Sequence, residues 1–206
     1  MPTKLIVAGI GTDVGKTVVA AILTTLLQGT YWKPIECGPS DTTTIQTLLD
    51  PLTTHIHPPT YSFKAPLSPH HAAYLENQTI DIKNFNLPHT SCPLVIESVG
   101  GISVPLTHQL LSLDLFKQWS CHWILVCKHY LGSINHTLLT LHMLQAHHIG
   151  IRGLIFNGTP YPEAESVILD MSQLPCLGRL LPEPHITSQT IQHYAKQWTP
   201  QILQAL

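Results

Sequence analysis

The chain has 206 residues, and 44% of them are hydrophobic, which is typical of an ordinary globular protein. Only 11% are charged, against about 25% in average proteins, and ten basic residues stand against twelve acidic ones, for a formal net charge of −2. The absence of a basic excess argues against nucleic-acid binding, and the length predicts a single domain over residues 1–206.

The first predicted elements are an apolar strand over Leu5 to Ala8 and an amphipathic helix over Thr17 to Gln28. Gly29 follows the helix as its C-terminal stop. The sequence Gly-Ile-Gly-Thr-Asp-Val-Gly-Lys-Thr, from Gly9 to Thr17, joins the strand to the helix. A strand before such a segment and a helix after it are the context that a phosphate-binding loop requires.

The residue types of this loop suit phosphate chemistry. Glycines allow backbone N–H groups to turn inward, and the helix N-terminus adds partial positive charge. Lys16 can reach the β- and γ-phosphates, and the Thr17 hydroxyl can bind Mg²⁺. The loop is a variant of the usual spacing, because Ile10 stands where the first glycine is expected and glycines flank it on both sides.

A second apolar run predicts a strand over Tyr31 to Ile35, and Lys33 lies within it. Asp41 follows in a Gly-Pro-Ser-Asp turn, and it is either a magnesium ligand or the N-cap of the next helix. The segment Pro51 to Pro69 is rich in Pro, Thr and His, which predicts a long loop over the sheet and a candidate substrate-facing flap.

Further strands are predicted over Leu94 to Ile96, Ile124 to Cys127 and Leu154 to Phe156, with a helix over Ile134 to Ala146. Glu97 ends the first of these strands, at the position where phosphate-loop enzymes commonly hold a metal-binding carboxylate. Strands that alternate with helices predict an α/β fold: a mostly parallel central sheet flanked by helices, of the phosphate-loop (P-loop) NTPase type.

The five cysteines are odd in number and show no CxxC spacing, so we expect reduced thiols in a cytoplasmic protein. No run approaches the roughly 20 apolar residues that span a bilayer, and the N-terminus lacks the pattern of a secretory signal, so we expect no membrane association. The 14 histidines are expected on the surface, since pairs such as His70-His71 lack the further ligands of a zinc site.

An ordered set of blocks runs from about residue 4 to about residue 185. The blocks are Thr12 to Thr17, Lys33-Pro34, Ser68 to Ala73, Glu97 with Gly100-Gly101, Leu131 to His136, Gly153 to Asn157 and Leu177-Gly178. Together they resemble the ATP-dependent dethiobiotin synthetases of biotin biosynthesis. The phosphate loop is shared with many ATPases, whereas the Lys-Pro and Leu-Gly-Ser-Ile-Asn-His blocks are more specific to this family.

The resemblance implies a reaction that joins CO₂ to 7,8-diaminononanoate (7,8-diaminopelargonate), with ATP as co-substrate and Mg²⁺ as cofactor. One amine takes up CO₂ as a carbamate, which attacks the γ-phosphate to give a carbamic-phosphoric anhydride. The second amine then closes the urea ring of dethiobiotin and expels phosphate. The resemblance also implies a homodimer, with the alkyl chain of the substrate across the interface.

The resemblance also implies roles for individual residues. Lys33 and Lys16 are expected to be catalytic cations that stabilise negative charge rather than abstract protons. The expected magnesium ligands are Thr17, Asp41 and Glu97. The implied nucleotide contacts are Asp13, Val14, Gly15, Lys16, Thr17, Asp41, Glu97, Ser98, Val99, Gly100, Asn157, Gly158, Leu181, Pro182 and Glu183, with Asn157 as the adenine-reading amide.

The implied substrate contacts are Cys37, Gly132, Ser133 and Asn135. The last three open a predicted helix, whose N–H groups could hold the distant carboxylate of the substrate. Cys37 departs from the Ser or Thr that is usual in the family.

Three further departures concern the nucleotide side. Ser98-Val99 replaces the usual Gly-Ala, Asp13 replaces a frequent Glu, and the stretch from Leu180 to Pro184 lacks the usual Ile-Pro spacing.

Two alternative interpretations remain open. One is another member of the ATPase superclass, such as a partitioning ATPase or a cobyrinate amidating synthetase. The early loop lysine of partitioning ATPases is absent from Gly9-Ile10-Gly11, and 206 residues leave no room for a glutaminase domain. The other is a nucleotide-binding regulator without catalysis, against which the retention of the phosphate- and metal-binding residue types argues.

Overall fold

The computed structural model describes residues 2–50 and 52–206; Met1 and Pro51 lie outside it. The strands are β1 (Lys4–Gly9), β2 (Thr30–Trp32), β3 (Ile35–Cys37), β4 (Ile56–His57), β5 (Tyr61–Phe63), β6 (Leu94–Glu97), β7 (His122–Lys128), β8 (Ile151–Asn157) and β9 (Cys176–Leu180). The helices are α1 (Lys16–Leu27), α2 (Asp41–Leu48), α3 (Pro69–Leu75), α4 (Ser112–Phe116), α5 (Ser133–Ala146), α6 (Pro162–Ser172) and α7 (Ser188–Ala205), with a short 3₁₀ turn at Ile82–Asn84.

Within the described ranges, seven strands form one sheet in the order β4-β2-β6-β1-β7-β8-β9, and every neighbouring pair is parallel. The central strands are buried along nearly their whole length, which explains their continuous apolar runs. Helix α1 contacts α2 and α7, and α5 contacts α6, so helices flank the sheet. The predicted parallel α/β fold is confirmed.

The predicted strand over Tyr31 to Ile35 is wrong in its extent. The run divides into β2 and β3, and β3 leaves the main sheet to pair with β5. Pro34 lies at the break: it has no N–H to donate to a sheet, and its carbonyl oxygen accepts instead from the backbone N–H groups of Thr60 and Tyr61.

The predicted loop over Pro51 to Pro69 is also wrong in part. Pro51 lies outside the described residues, but β4 and β5 both fall within the rest of the segment. These strands have only two and three residues, so their apolar patterns are too short to stand out from a loop.

The predicted end of helix α1 differs from the observed end in the residue that stops the helix. The left-handed residue that ends the helix is Gln28, with φ 49°, and not Gly29. Gly29 donates its N–H to the Thr24 carbonyl oxygen, and a Cβ at Gly29 would come within 2.6 Å of the Pro93 carbonyl oxygen. Its missing side chain therefore serves close packing rather than a left-handed turn.

Five of the remaining elements, β9, α3, α4, α6 and α7, have no counterpart among the predicted elements. No helix within residues 2–50 and 52–206 combines the length and the apolar character that crossing a membrane requires.

Candidate functional site

The phosphate loop lies between the end of the central strand β1 and the start of α1. Gly15 has φ 94°, in the left-handed region, and a Cβ there would overlap the side-chain amide nitrogen of Asn157. Asp13, with φ 56°, is also left-handed. The loop therefore needs a glycine directly before Lys16, for both backbone conformation and space.

Lys16 lies under the loop and is 6% exposed. Its ammonium donates to the Gly11 carbonyl oxygen at 2.8 Å. Burial lowers the pKa of Lys16 to about 8, although the nearby Glu97 carboxylate opposes this shift. A phosphate group bound in the loop would favour the charged form of this lysine.

Four side chains converge beside the loop. The Thr17 hydroxyl lies 2.9 Å from a carboxylate oxygen of Asp41 and 2.9 Å from Oε1 of Glu97. The Lys33 ammonium forms ion pairs with both carboxylates, at 2.7 Å in the case of Glu97. We call these residues, Thr17, Lys33, Asp41 and Glu97, the central cluster.

The sheet positions this cluster. Strands β2 and β6 are neighbours, with Trp32 paired to Ile96, so Lys33 and Glu97 follow side by side at the carboxyl ends of the two strands. Helix α2 supplies the third member, Asp41. This edge of a parallel sheet is where ligands bind in open α/β folds.

The alternative interpretation of Asp41 as an N-cap is wrong. Ser40 caps α2, and its hydroxyl accepts from the Thr43 N–H at 3.1 Å. Asp41 is the first residue of the helix, and its carboxylate is directed to Lys33 and Thr17 instead.

Lys33 is 5% exposed and Glu97 is 1% exposed. Burial lowers the pKa of Lys33, but the Glu97 and Asp41 carboxylates together outweigh it, so the net pKa lies above the ordinary value. The two carboxylates therefore favour the charged form of Lys33, which suits it to stabilise negative charge rather than to accept a proton.

Sequence reasoning missed two residues that support the cluster. The Tyr31 hydroxyl donates to Oε2 of Glu97 at 2.7 Å. Glu36, itself 3% exposed, accepts from the Ser40 hydroxyl at 3.0 Å and from the Thr42 backbone N–H at 2.7 Å. The sequence does single out Glu36 in one respect, because it is an acidic residue within an apolar run.

The segment after β6 lies against the phosphate loop. A Cβ on Gly100, which has φ 53°, would be 3.5 Å from the Thr12 hydroxyl oxygen. Ser98 is buried and donates its backbone N–H to the Val7 carbonyl oxygen at 3.0 Å, while its side-chain oxygen has no partner within the described residues. Val99 is half-buried beside it.

The predicted adenine side comes together at the ends of β8 and β9. The Asn157 amide donates to the Val14 carbonyl oxygen at 2.8 Å. Gly158 donates its N–H to the Leu180 carbonyl oxygen at 3.0 Å, which ties the two strand ends together.

The exposed residues 181–183, namely Leu181, Pro182 and Glu183, follow directly. They are anchored by Tyr194 of α7, whose hydroxyl accepts from the Leu181 N–H at 3.2 Å and donates to Glu183 at 2.6 Å. Of the sequence-predicted nucleotide residues on this side, Asn157 bonds the phosphate loop directly, and Gly158 bonds the strand end that leads into residues 181–183.

The predicted substrate residues are more dispersed. Cys37 ends β3 and is half-buried, and burial raises the pKa of its thiol to about 11 despite the nearby Lys33. Helix α5 begins at Ser133 after Gly132, in agreement with the predicted helix start. Asn135 is exposed on its first turn.

A cavity of about 510 Å³ lies between the phosphate loop and α5. The residues that line it are Ile10, Gly11, Thr12, Asp13, Lys128, Tyr130, His136, Leu139 and Thr140. Gly132, Ser133 and Asn135 do not line this cavity, and no residue of the central cluster lines it either.

A parallel sheet with a glycine-rich loop after its central strand, a buried lysine and a threonine opening the next helix defines a P-loop NTPase. The family model described as an AAA domain matches residues 3–190. The ATP-dependent dethiobiotin synthetase of Chlamydia abortus is 47% identical over 197 residues, covering 94% of this chain and 93% of its own. That of Cytophaga hutchinsonii is 42% identical, covering 93% and 95%. The chain therefore belongs to the dethiobiotin synthetase family.

Solved structures support the fold alone. A plasmid partition protein from Borrelia burgdorferi has a TM-score of 0.64 at 15% identity, covering 100% of this chain and 99% of its own. The septum site-determining protein MinD from Pyrococcus horikoshii, complexed with Mg-ADP, has a TM-score of 0.58 at 16% identity, covering 100% and 93%.

Proposed function

We propose that this protein is an ATP-dependent dethiobiotin synthetase that joins CO₂ to 7,8-diaminononanoate and closes the urea ring, with release of ADP and phosphate. The observation that carries the proposal is the central cluster beside the phosphate loop, in a chain of this family. We further propose a cytoplasmic enzyme that acts on small molecules and engages neither nucleic acid nor membrane.

The central cluster fits Mg²⁺. Thr17 bonds both Asp41 and Glu97 at 2.9 Å, so three oxygen-bearing side chains meet at one point, and Mg²⁺ prefers oxygen ligands. The central cluster has only two carboxylates, and within the described residues no group of three or more His, Cys, Asp or Glu side chains could hold a metal ion. Two carboxylates and a hydroxyl leave positions for phosphate oxygens and water, as is usual for Mg²⁺ with a nucleotide. When bound, the ion would neutralise charge on the β- and γ-phosphates.

The first chemical step joins two anions. A carbamate oxygen of the substrate attacks the γ-phosphorus, and the bond between that phosphorus and the bridging oxygen of ADP breaks. Lys16 in the loop and Lys33 in the central cluster supply positive charge from two sides of the transferring group. Because Lys33 remains protonated, its role is charge stabilisation and orientation.

The second step needs less from the protein. The remaining amine attacks the carbonyl carbon of the carbamic-phosphoric anhydride, the carbon–oxygen bond to phosphate breaks, and the proton of the nitrogen passes to the leaving phosphate. The leaving phosphate carries negative charge into the space between Lys16 and Lys33, so the same two cations stabilise both steps.

We place the diamine beside the phosphate loop, at the cavity between this loop and α5, and propose that it extends beyond the cavity to Cys37 and to the start of α5 (Gly132, Ser133, Asn135), which do not line it. Leu139, which lines this cavity, is 58% exposed, and Leu131, just before α5, is fully exposed, which supports a homodimer that covers them. Sedimentation velocity of the wild type and of Leu131→Asp tests this: a monomeric wild type would exclude the dimer.

The decisive experiment measures phosphate release from Mg-ATP with bicarbonate, with and without 7,8-diaminononanoate, and identifies the product by mass spectrometry. Strong dependence on the diamine, together with a product of the mass of dethiobiotin, is the expected result. Hydrolysis that ignores the diamine would favour an ATPase switch instead. ATP binding without turnover would favour a non-catalytic regulator.

A further inference from the structure

The Glu97 carboxylate is held from two sides by different kinds of group. Its Oε1 oxygen accepts from the Thr17 hydroxyl at 2.9 Å and from the Lys33 ammonium at 2.7 Å. Its Oε2 oxygen accepts from the Tyr31 hydroxyl at 2.7 Å. Oε1 thus faces Thr17 and Lys33, which the proposed function assigns to the reactants, and Oε2 faces the buried Tyr31.

Thr17 and Lys33 cannot fix this carboxylate during turnover. Both are shared with Asp41, and both are assigned to the metal and the transferring phosphoryl group in the proposed reaction. The Tyr31 hydroxyl, in contrast, bonds only Glu97 among the residues that the structure describes. Its bond is independent of what occupies the site.

The position of Tyr31 makes this contact rigid. Its side chain is 0% exposed, and its backbone lies on β2, paired with Val95 of the neighbouring β6. Ring and carboxylate therefore project from adjacent strands of one sheet. A buried tyrosine needs a partner for its hydroxyl, and here that partner is the carboxylate expected to bind the metal.

We infer that Tyr31 is a positioning residue, which holds Oε2 of Glu97 so that Oε1 is presented to Thr17 and to a divalent cation. The inference rests on the proposed function, in which Glu97 is a magnesium ligand. Tyr31 is 0% exposed and therefore presents no surface to a substrate or a nucleotide. Hydrogen-bond partners of metal-binding carboxylates typically change metal affinity by about 10- to 100-fold when they are removed.

The test is Mn²⁺ binding, followed by electron paramagnetic resonance, to the wild type and to Tyr31→Phe in the presence of ADP. The variant keeps the ring and removes only the hydroxyl, so we expect a loss of Mn²⁺ affinity of about 10-fold or more. ADP affinity without metal should stay within about twofold, since the Tyr31 hydroxyl bonds Glu97 and forms no hydrogen bond with a residue of the phosphate loop. The Mg²⁺ concentration that half-saturates turnover should rise, with kcat largely recovered at high Mg²⁺.

Tyr61→Phe is the matched control. The Tyr61 hydroxyl also has polar partners, the Asp81 N–H at 3.0 Å and the Asn84 amide at 2.8 Å, but it lies on β5 outside the site. Its removal should leave Mn²⁺ affinity unchanged. In a Glu97→Gln background, Tyr31→Phe should cause no further loss, because its effect passes through that carboxylate.

Unchanged Mn²⁺ affinity in a folded Tyr31→Phe variant would overturn the inference and leave the proposed function intact. A wild type that makes dethiobiotin but binds no Mn²⁺ with ADP would overturn both the metal assignment and the inference. Should the variant not fold, ¹³C-labelled tyrosine introduced at position 31 alone provides the second measurement. Its ring resonance should remain that of a hydrogen-bonded phenol when Mg-ADP is added, and a shift to that of a free phenol would contradict the proposed role.

Discussion

Replacing Lys33 with alanine removes the cation that forms ion pairs with both carboxylates of the central cluster. Lys33 pairs with Glu97, which is 1% exposed, so the variant leaves a buried carboxylate without its countercharge. Such a loss destabilises a protein by about 3–5 kcal/mol. The side chain of the second partner, Asp41, is 35% exposed, and solvent screening leaves its pairing a small contribution.

The catalytic effect has a different origin. Loss of a preorganised charge at the transferring group lowers kcat by about 10²-fold or more, which corresponds to roughly 2.7 kcal/mol of transition-state stabilisation. Because Lys33 acts on charge that develops in the transition state, kcat and kcat/KM should fall together. A change confined to the KM for ATP would indicate ground-state binding instead.

The assay compares diamine-dependent phosphate release by the wild type and by Lys33→Ala at a temperature where circular dichroism shows both to be folded. Lys117→Ala is the matched control, since Lys117 also forms an ion pair at 2.7 Å, but on the surface with Asp114. That variant should change stability by less than about 0.5 kcal/mol and leave kcat unaltered. A folded Lys33→Ala enzyme with kcat within threefold of the wild type would refute the catalytic role.

Three further predictions concern the phosphate loop and the substrate side. Since the pKa of Lys16 is lowered to about 8, this side chain loses its positive charge as the pH rises through that value. ATP affinity measured by calorimetry should therefore weaken about tenfold per pH unit above pH 8. An ATP affinity that does not change from pH 7 to 9.5 would contradict this. The pKa of Cys37 is raised from 9.0 to about 11, which lowers the thiolate fraction of this residue about 100-fold. Iodoacetamide should therefore alkylate Cys37 far more slowly than the exposed Cys92, as followed by mass spectrometry. Equal alkylation rates would contradict this. Gly15→Ala should abolish ATP binding, because the added Cβ overlaps the Asn157 amide. Gly132→Ala has a similar φ of 96° but open space around its Cβ, and it should lower the free energy of thermal unfolding by only about 1–2 kcal/mol. An equal loss of unfolding free energy in the two variants would show that backbone strain alone is responsible.

The sequence predicts those parts of the fold in which the residues of one short segment are enough to indicate its secondary structure. The strands β1, β6, β7 and β8 are buried on both faces, so each appears as an unbroken apolar run. The extent of β2 was misjudged because apolar residues continue past Pro34, and apolar character does not report which sheet a strand joins. Helix α7 was missed because its mostly polar sequence contains Pro200 and buries only a narrow apolar stripe.

The site was predictable in its local part only. Residues 9 to 17 are consecutive, and their glycines, lysine and threonine identify a phosphate loop without any tertiary information. Tyr31 lies 66 positions from Glu97, and neither residue type by itself predicts the contact. Their meeting follows from the sheet order, which places β2 beside β6 across a crossover of about 60 residues.

The energetics of the central cluster argue that it is maintained for chemistry rather than for stability. Removing Lys33 and Glu97 from water costs several kcal/mol for each ion, and well-packed apolar residues in such positions are often as stable or more so. Buried carboxylates and ammonium groups at the carboxyl edge of a parallel sheet become useful only when a charged ligand is brought there. A cation that is already desolvated and held by two carboxylates does not have to lose its water as negative charge develops, and this preorganisation is what the step between carbamate and γ-phosphate requires.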